Sequence, residues 1–276
     1  MEGFWWAWGT AGRDPPRQSG RNSGYHSAYT WMNGAEATHV RMCKSDRQPL
    51  ANPRLVTLII PAHNEAGRID DTALTALQAS LVSRVIIVDD GSTDGTSAVA
   101  AGIAANDARL DVLRMATNRG KSAALLRGIR ASNTDLIAFV DADLIGLTPQ
   151  HIDDLIRPVL AGECDMSLAQ FRGGRLHTDL AHLVTPFLSG QRCLRWQRFR
   201  GAPFLEDARY AVEVAFSLHA RQHGLAVRSI PWRGVTHITQ PEKHGILRGY
   251  LSYLRMYSEI AFYVARLGLK PLARFW

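Results

Sequence analysis

"RVIIVDDGSTDGTSAVA", residues 84–100, changes character twice. Four apolar, mostly β-branched residues run into two aspartates. A Gly/Ser/Thr/Asp turn follows, and then small residues suited to a helix. Continuous apolar runs of this length, bounded by turn residues, read as strands buried on both faces. Asp94 is placed to cap the helix that follows. A strand feeding a helix through a short polar turn is half of a βαβ unit, so the surrounding sequence should repeat the pattern.

It does. "LVTLII" (55–60), "DVLRMA" (111–116), "DLIAFVDAD" (135–143) and "CDMSLAQ" (164–170) are further strand-like runs. Helical stretches are expected near 69–80, 95–106, 120–132 and 149–161. The alternation predicts an α/β fold with a Rossmann-like, mainly parallel sheet and helices on both faces. Beyond residue 176 the pattern loosens. Helices are expected near 178–200 and 207–223, followed by two extended pieces, "AVRSIPW" and "GVTHI". Three regions follow: a poorly ordered extension over 1–53, the α/β domain over 54–240, and a basic amphipathic C-terminal helix within 241–276. In that helix Arg248, Arg255 and Arg266 share one face.

The formal charge of +7 does not mark a nucleic-acid binder, because it is confined to the ends. Residues 55–240 carry 19 basic and 19 acidic side chains, whereas the flanking segments hold the excess. Basic ends on a neutral body suit peripheral contact with an anionic membrane surface, or simple solvation. The three cysteines, Cys43, Cys164 and Cys193, have neither ligand spacing nor an even count. With Glu2 in a short, glycine-broken apolar start, they lead us to expect a cytoplasmic protein.

Ligands of open parallel sheets bind at the carboxyl ends of the strands. Those ends are crowded with oxygen donors here. The first run closes in "PAHNE", with Asn64 and Glu65; the second in Asp89, Asp90 and "GSTD"; the fourth in Asp141 and Asp143. Two carboxylates at i and i+2 past a strand can meet at a hard divalent cation, Mg²⁺ or Mn²⁺, or can serve as ordinary turn and cap residues. "NRGKSAALLRGI" (118–129) opens a helix with a glycine turn and Lys121. Its N-terminus offers free N–H groups to phosphate, although neither the P-loop nor GxGxxG spacing is present.

"TLIIPAHNE", "VIIVDDGSTDGT", "NRGKSAALLRGI" and "FVDAD", in that order, resemble the family 2 glycosyltransferases of the GT-A fold over roughly residues 55–240. "VEVAFSLHARQHGLAV" (212–227) and "GVTHITQ" (234–240) are similar to the polyprenol-phosphate mannosyltransferase and glucosyl-phosphoglycerate synthase branches. The resemblance implies a nucleotide-sugar donor site lined by Pro61, Ala62 and Glu65, with Asp90 on the base or ribose and Gly120 and Lys121 near the donor. It implies Asp141 at the ribose or metal, Asp143 on the metal, and His237 approaching the same Mg²⁺ or Mn²⁺. The catalytic base stays open between Asp207 or its neighbour Glu206 in "FLEDARY" and Glu213 in "VEVAF".

On the acceptor side, "SGQRCLRWQRFR" (189–200) places Ser189, Arg192 and Arg195 where they would hold a polyprenyl phosphate or a phosphorylated small molecule; a solvated basic helix is the plainer reading. "QRCLRW" is one residue too long for the QxxRW motif of processive synthases. Two competing functions remain. One is a sugar nucleotidyltransferase, for which the glycine-rich, arginine-bearing first loop is missing. The other is a catalytically silent nucleotide-sugar-binding or membrane-adaptor protein.

Overall fold

The computed structural model describes residues 56–172, 189–200, 212–237 and 258. In the first of these segments strands and helices alternate as expected: β1 (Val56–Ala62), α1 (Ile69–Gln78), β2 (Arg84–Asp89), α2 (Thr96–Ala104), β3 (Leu110–Arg114), α3 (Lys121–Ala131) and β4 (Leu136–Phe139). A two-residue strand β5 (Leu144–Ile145), helix α4 (Pro149–Leu160) and β6 (Met166–Arg172) follow. Then come β7 (Arg192–Arg195), the single turn α5 (Trp196–Phe199), α6 (Val212–Gln222), β8 (Val227–Arg233) and β9 (Thr236–His237). The proposed extension over 1–53 and nearly all of the C-terminal helix lie outside the described residues, as do Glu206 and Asp207.

Seven strands form one sheet in the order β3-β2-β1-β4-β7-β6-β8. β1 pairs in parallel with β2 and β4, β2 with β3, and β6 with β8; β7 alone runs against its neighbours β4 and β6. Alternation along β1 divides the core. Leu58 and Ile60 pack with Ile69, Ala73, Ile152 and Ile156 of α1 and α4, whereas Ile59 packs with Ala124 and Ile129 of α3 and with Phe216 of α6. Burial on both faces is why these strands read as unbroken apolar runs. Pro61 is tolerated in a central strand because it lies beyond the last β1–β4 pair, Ile59↔Phe139, so its missing N–H breaks no ladder bond there.

Two expectations are corrected. Residues 192–195 form a strand, not part of a helix over 178–200: Arg192 pairs with Phe139 and Arg195 with Leu136. The flanking strands β4 and β6 impose this, since each supplies a full edge of backbone partners. The cap of α2 is displaced by one residue. Gly95 is the N-cap, while the Asp94 carboxylate accepts from Thr96 N and Oγ1 and from Ala66 N. Cys164 and Cys193 are free and buried, and burial pushes the Cys193 thiol pKa up.

Candidate donor and metal site

Three loops at the carboxyl edge of the sheet are stitched together by short polar contacts. The chain leaves β1 through His63 and Asn64, the latter at φ 57°. His63 Nδ1 donates to the Asp90 carbonyl at 2.9 Å, and Asn64 N donates to Ser92 Oγ at 2.9 Å. The Asn64 side-chain oxygen returns the link by accepting from Thr93 N. Gly91 makes the turn after Asp90 with φ 67°, and a Cβ there would lie 2.6 Å from the backbone of Thr117 and Asn118. Only glycine satisfies both demands.

Asp90 is nearly buried. Its two carboxylate oxygens accept from Arg119 N and Gly120 N, each at 2.8 Å. The Gly120 N–H, at the N-cap of α3, is thereby committed to Asp90. Asp89 is fully buried; one oxygen accepts from Ser92 N, and the other faces Arg114 Nε at 3.7 Å, an ion pair beyond hydrogen-bond reach. Pro61 and Ala62 close β1, and Ala62 O accepts from Asp90 N. Glu65 is buried beside Arg68, whose guanidinium donates to it at 2.9 Å, and its own N–H is held by Thr96 Oγ1. Backbone N–H groups therefore hold Asp89 and Asp90 in place, while a side chain holds Glu65.

The third loop carries the DxD pair. After β4 the chain passes Asp141 and Asp143 and enters β5, which pairs antiparallel with β9, Leu144 opposite His237. That short ribbon brings a histidine from the far end of the chain to Asp143, with Nδ1 3.6 Å from the carboxylate. The His237 ring rests on Phe171, centroids 4.9 Å apart. Asp141, Asp143 and His237 each offer a ligand atom, all within 4.8 Å of one another. Two carboxylates and one imidazole, half-buried and convergent, are a donor set that fits Mn²⁺ or Mg²⁺.

Asp141 is also held from the protein side. Lys121 Nζ lies 2.7 Å from Asp141 Oδ1 and 2.7 Å from Glu213 Oε1. Burial alone would push the Lys121 pKa down; the two carboxylates outweigh it and hold the pKa above the ordinary lysine range, so the ammonium is charged throughout neutral pH. Gln191 Nε2 donates to Asp141 Oδ2 at 2.8 Å. Gly190 passes so close that a Cβ would sit 2.6 Å from both Asp141 Oδ2 and Lys121 Nζ. Gln191 and Gly190 escaped the sequence reading because they precede a strand mistaken for helix. The missed signal was the "SGQ" turn before β7.

Glu213, in the first turn of α6, is buried and brought to the same edge. The three residues read as acceptor contacts are placed otherwise. Ser189 is buried and donates to Gln191. Arg192 is 1% exposed and donates to the carbonyls of Ser189 and Glu213. Burial pulls its pKa down to about 10, with Glu213 and Asp141 partly offsetting the fall. Both residues brace the site from inside. Arg195 is opposite Leu136, at the strand-start edge of the sheet, away from the DxD loop.

Residues 57–218 match the model of the glycosyl transferase family 2. Among curated proteins, glucosyl-3-phosphoglycerate synthase of Mycobacterium tuberculosis is 32% identical over 114 residues, 40% of this chain and 35% of that protein. The 4,4'-diaponeurosporenoate glycosyltransferase of Staphylococcus aureus is 38% identical over 107 residues, 38% of this chain and 28% of that protein. The matched region thus spans only about a third of these relatives' length. The solved structure of the M. tuberculosis synthase with Mn²⁺, UDP-glucose and phosphoglyceric acid superposes with a TM-score of 0.61 at 26% identity, covering 79% of this chain and 81% of that one. The same synthase with Mg²⁺ and UDP gives 0.60. With its GT-A architecture, its strand-end motifs and a family match over more than half its length, this chain belongs to glycosyl transferase family 2.

Proposed function

We propose that the protein transfers a single sugar from a nucleotide-sugar donor, with UDP-sugars foremost, to a phosphate-bearing acceptor. The observation that carries this reading is the convergence of Asp141, Asp143 and His237 at the carboxyl edge of the sheet, beside the loops that hold Asp90 and Glu65. Asp143 and His237, with Asp141, would hold Mn²⁺ or Mg²⁺. When bound, that cation supplies Lewis-acid stabilisation of the charge building on the departing nucleoside diphosphate.

The chain's own groups do the rest. Pro61, Ala62, Glu65 and Asp90 form the wall for base and ribose. Gly120 works by fixing Asp90, and Lys121 is the cation between Asp141 and Glu213. Glu213 is the described carboxylate best placed to accept the acceptor's proton, a role a positioned general base fills. Asp207, the other acid considered, lies outside the described residues.

The solved relative carries phosphoglyceric acid with UDP-glucose, which favours a small phosphorylated acceptor over a polyprenyl phosphate. Among the described residues no helix is long and apolar enough to cross a membrane. Peripheral contact would rest on Arg248, Arg255 and Arg266. Co-sedimentation with anionic vesicles that disappears when the three are replaced would shift the acceptor toward lipid.

Calorimetry with UDP, GDP and dTDP, with and without Mn²⁺, tests the donor site. The expected result is base-selective binding that requires the metal and weakens about a hundredfold or more in Asp143→Ala. Nucleotide binding indifferent to both metal and substitution would contradict the assignment.

A further inference from the structure

Both oxygens of Asp141 are engaged from the protein side. Gln191 donates to Oδ2, and the Lys121 ammonium sits on Oδ1. Yet the same carboxylate is one of three groups close enough to share a divalent ion. An ammonium and a divalent cation on one carboxylate repel each other at this short range in a partly desolvated site. Lys121 has a second anchor, Glu213 Oε1, at the same 2.7 Å, so it can leave Asp141 without leaving a partner altogether. The bare backbone of Gly190 keeps that space open.

We infer that Lys121 is a resident cation that competes with the divalent metal for Asp141. Metal entry therefore transfers the ammonium toward Glu213 and couples the donor site to the group across from it. This rests on the metal site proposed above. In the metal-free protein Lys121 neutralises Asp141; in the loaded protein it serves Glu213 alone. Lys121 is a positioning residue in this scheme, and its removal should strengthen metal binding, the opposite of what loss of a donor contact would do.

The test is Mn²⁺ alone, titrated calorimetrically into the full chain and two variants. Lys121→Met should bind Mn²⁺ at least about tenfold more tightly than wild type. Arg119→Gln removes an exposed positive charge from the same loop and should change the affinity by no more than about twofold. Unchanged or weaker binding in Lys121→Met overturns the competition, and so does an equal gain in Arg119→Gln, which would reduce it to a general field effect. If wild type takes up no Mn²⁺, the metal site falls along with this inference; if it binds and Lys121→Met does not gain, only the exchange is lost.

A measurement on the unmutated protein guards against a variant that does not fold. Lys121, followed by mass spectrometry after brief acetylation, should react faster when Mn²⁺ is present than in its absence. An equal or slower rate overturns the exchange.

Discussion

The two halves of the site hold their acids by different means. In the half that follows β2, backbone N–H groups from adjoining loops fix the carboxylates: Asp90 by Arg119 and Gly120, Asp89 by Ser92. In the half between β4 and α6, side chains hold side chains across long sequence separations: Gln191 on Asp141, and Lys121 on Glu213. Backbone clamps cannot rotate away, so the first arrangement presets a binding wall. Ion pairs can exchange partners, so the second suits groups that change charge or position during a reaction.

The sharpest way to break this contrast lies in the second half. Glu213→Gln should lower kcat by about 10²–10⁴-fold while Mn²⁺-dependent UDP affinity stays within a few-fold, measured by steady-state kinetics beside calorimetry. Near-normal kcat would pass the base role to Asp207. In the first half, Asp90→Ala strands two N–H groups that the carboxylate now satisfies. Stability should fall by about 1–3 kcal/mol in chemical denaturation, and UDP binding should weaken with it.

The smallest effect concerns Asp94. Desolvation is the largest single influence and raises its pKa, but hydrogen bonds from the Thr96 side chain and backbone and from Ala66 N together outweigh it and hold the pKa below the ordinary carboxylate range. A depressed carboxylate contributes stability above its unfolded pKa and loses it as pH falls through the lower folded value. Asp94→Asn should therefore flatten the acid limb of the stability curve below about pH 4, with under about 1 kcal/mol lost at neutral pH because the group is exposed. A wild-type acid limb in the variant would show that the carboxylate's charge is not what ties the α2 turn to β1.

The same division decides what could be read in advance. From β1 to α4 the helices and the first three strands are bounded by their own turn residues, and the apolar runs declare burial on both faces, so these elements lie within two residues of their expected bounds; β4 ends at Phe139, four residues before the run "DLIAFVDAD" does, and β5 has no signal of its own. Asp141 and Asp143 stand out in the sequence as carboxylates at a strand end, whereas Glu213 comes forward through the resemblance of "VEVAF", beside Asp207. β7 was not visible. "RCLR" is four residues long, and its strand character comes from β4 and β6, which precede it by more than twenty residues in the chain. Reading it as helix set Arg192 and Arg195 on an exposed acceptor face, whereas Arg192 is buried and Arg195 lies opposite Leu136, and it hid Gln191. The convergence of His237 on Asp143 likewise depends on a two-residue ribbon that no local pattern announces.

The most direct measurement is release of nucleoside diphosphate from a panel of UDP-, GDP- and dTDP-sugars, with and without Mn²⁺, by wild type and Asp143→Ala. The account predicts donor-selective release that requires the metal and falls by about 10²–10³-fold or more in the variant. Release indifferent to metal and to Asp143 would contradict it.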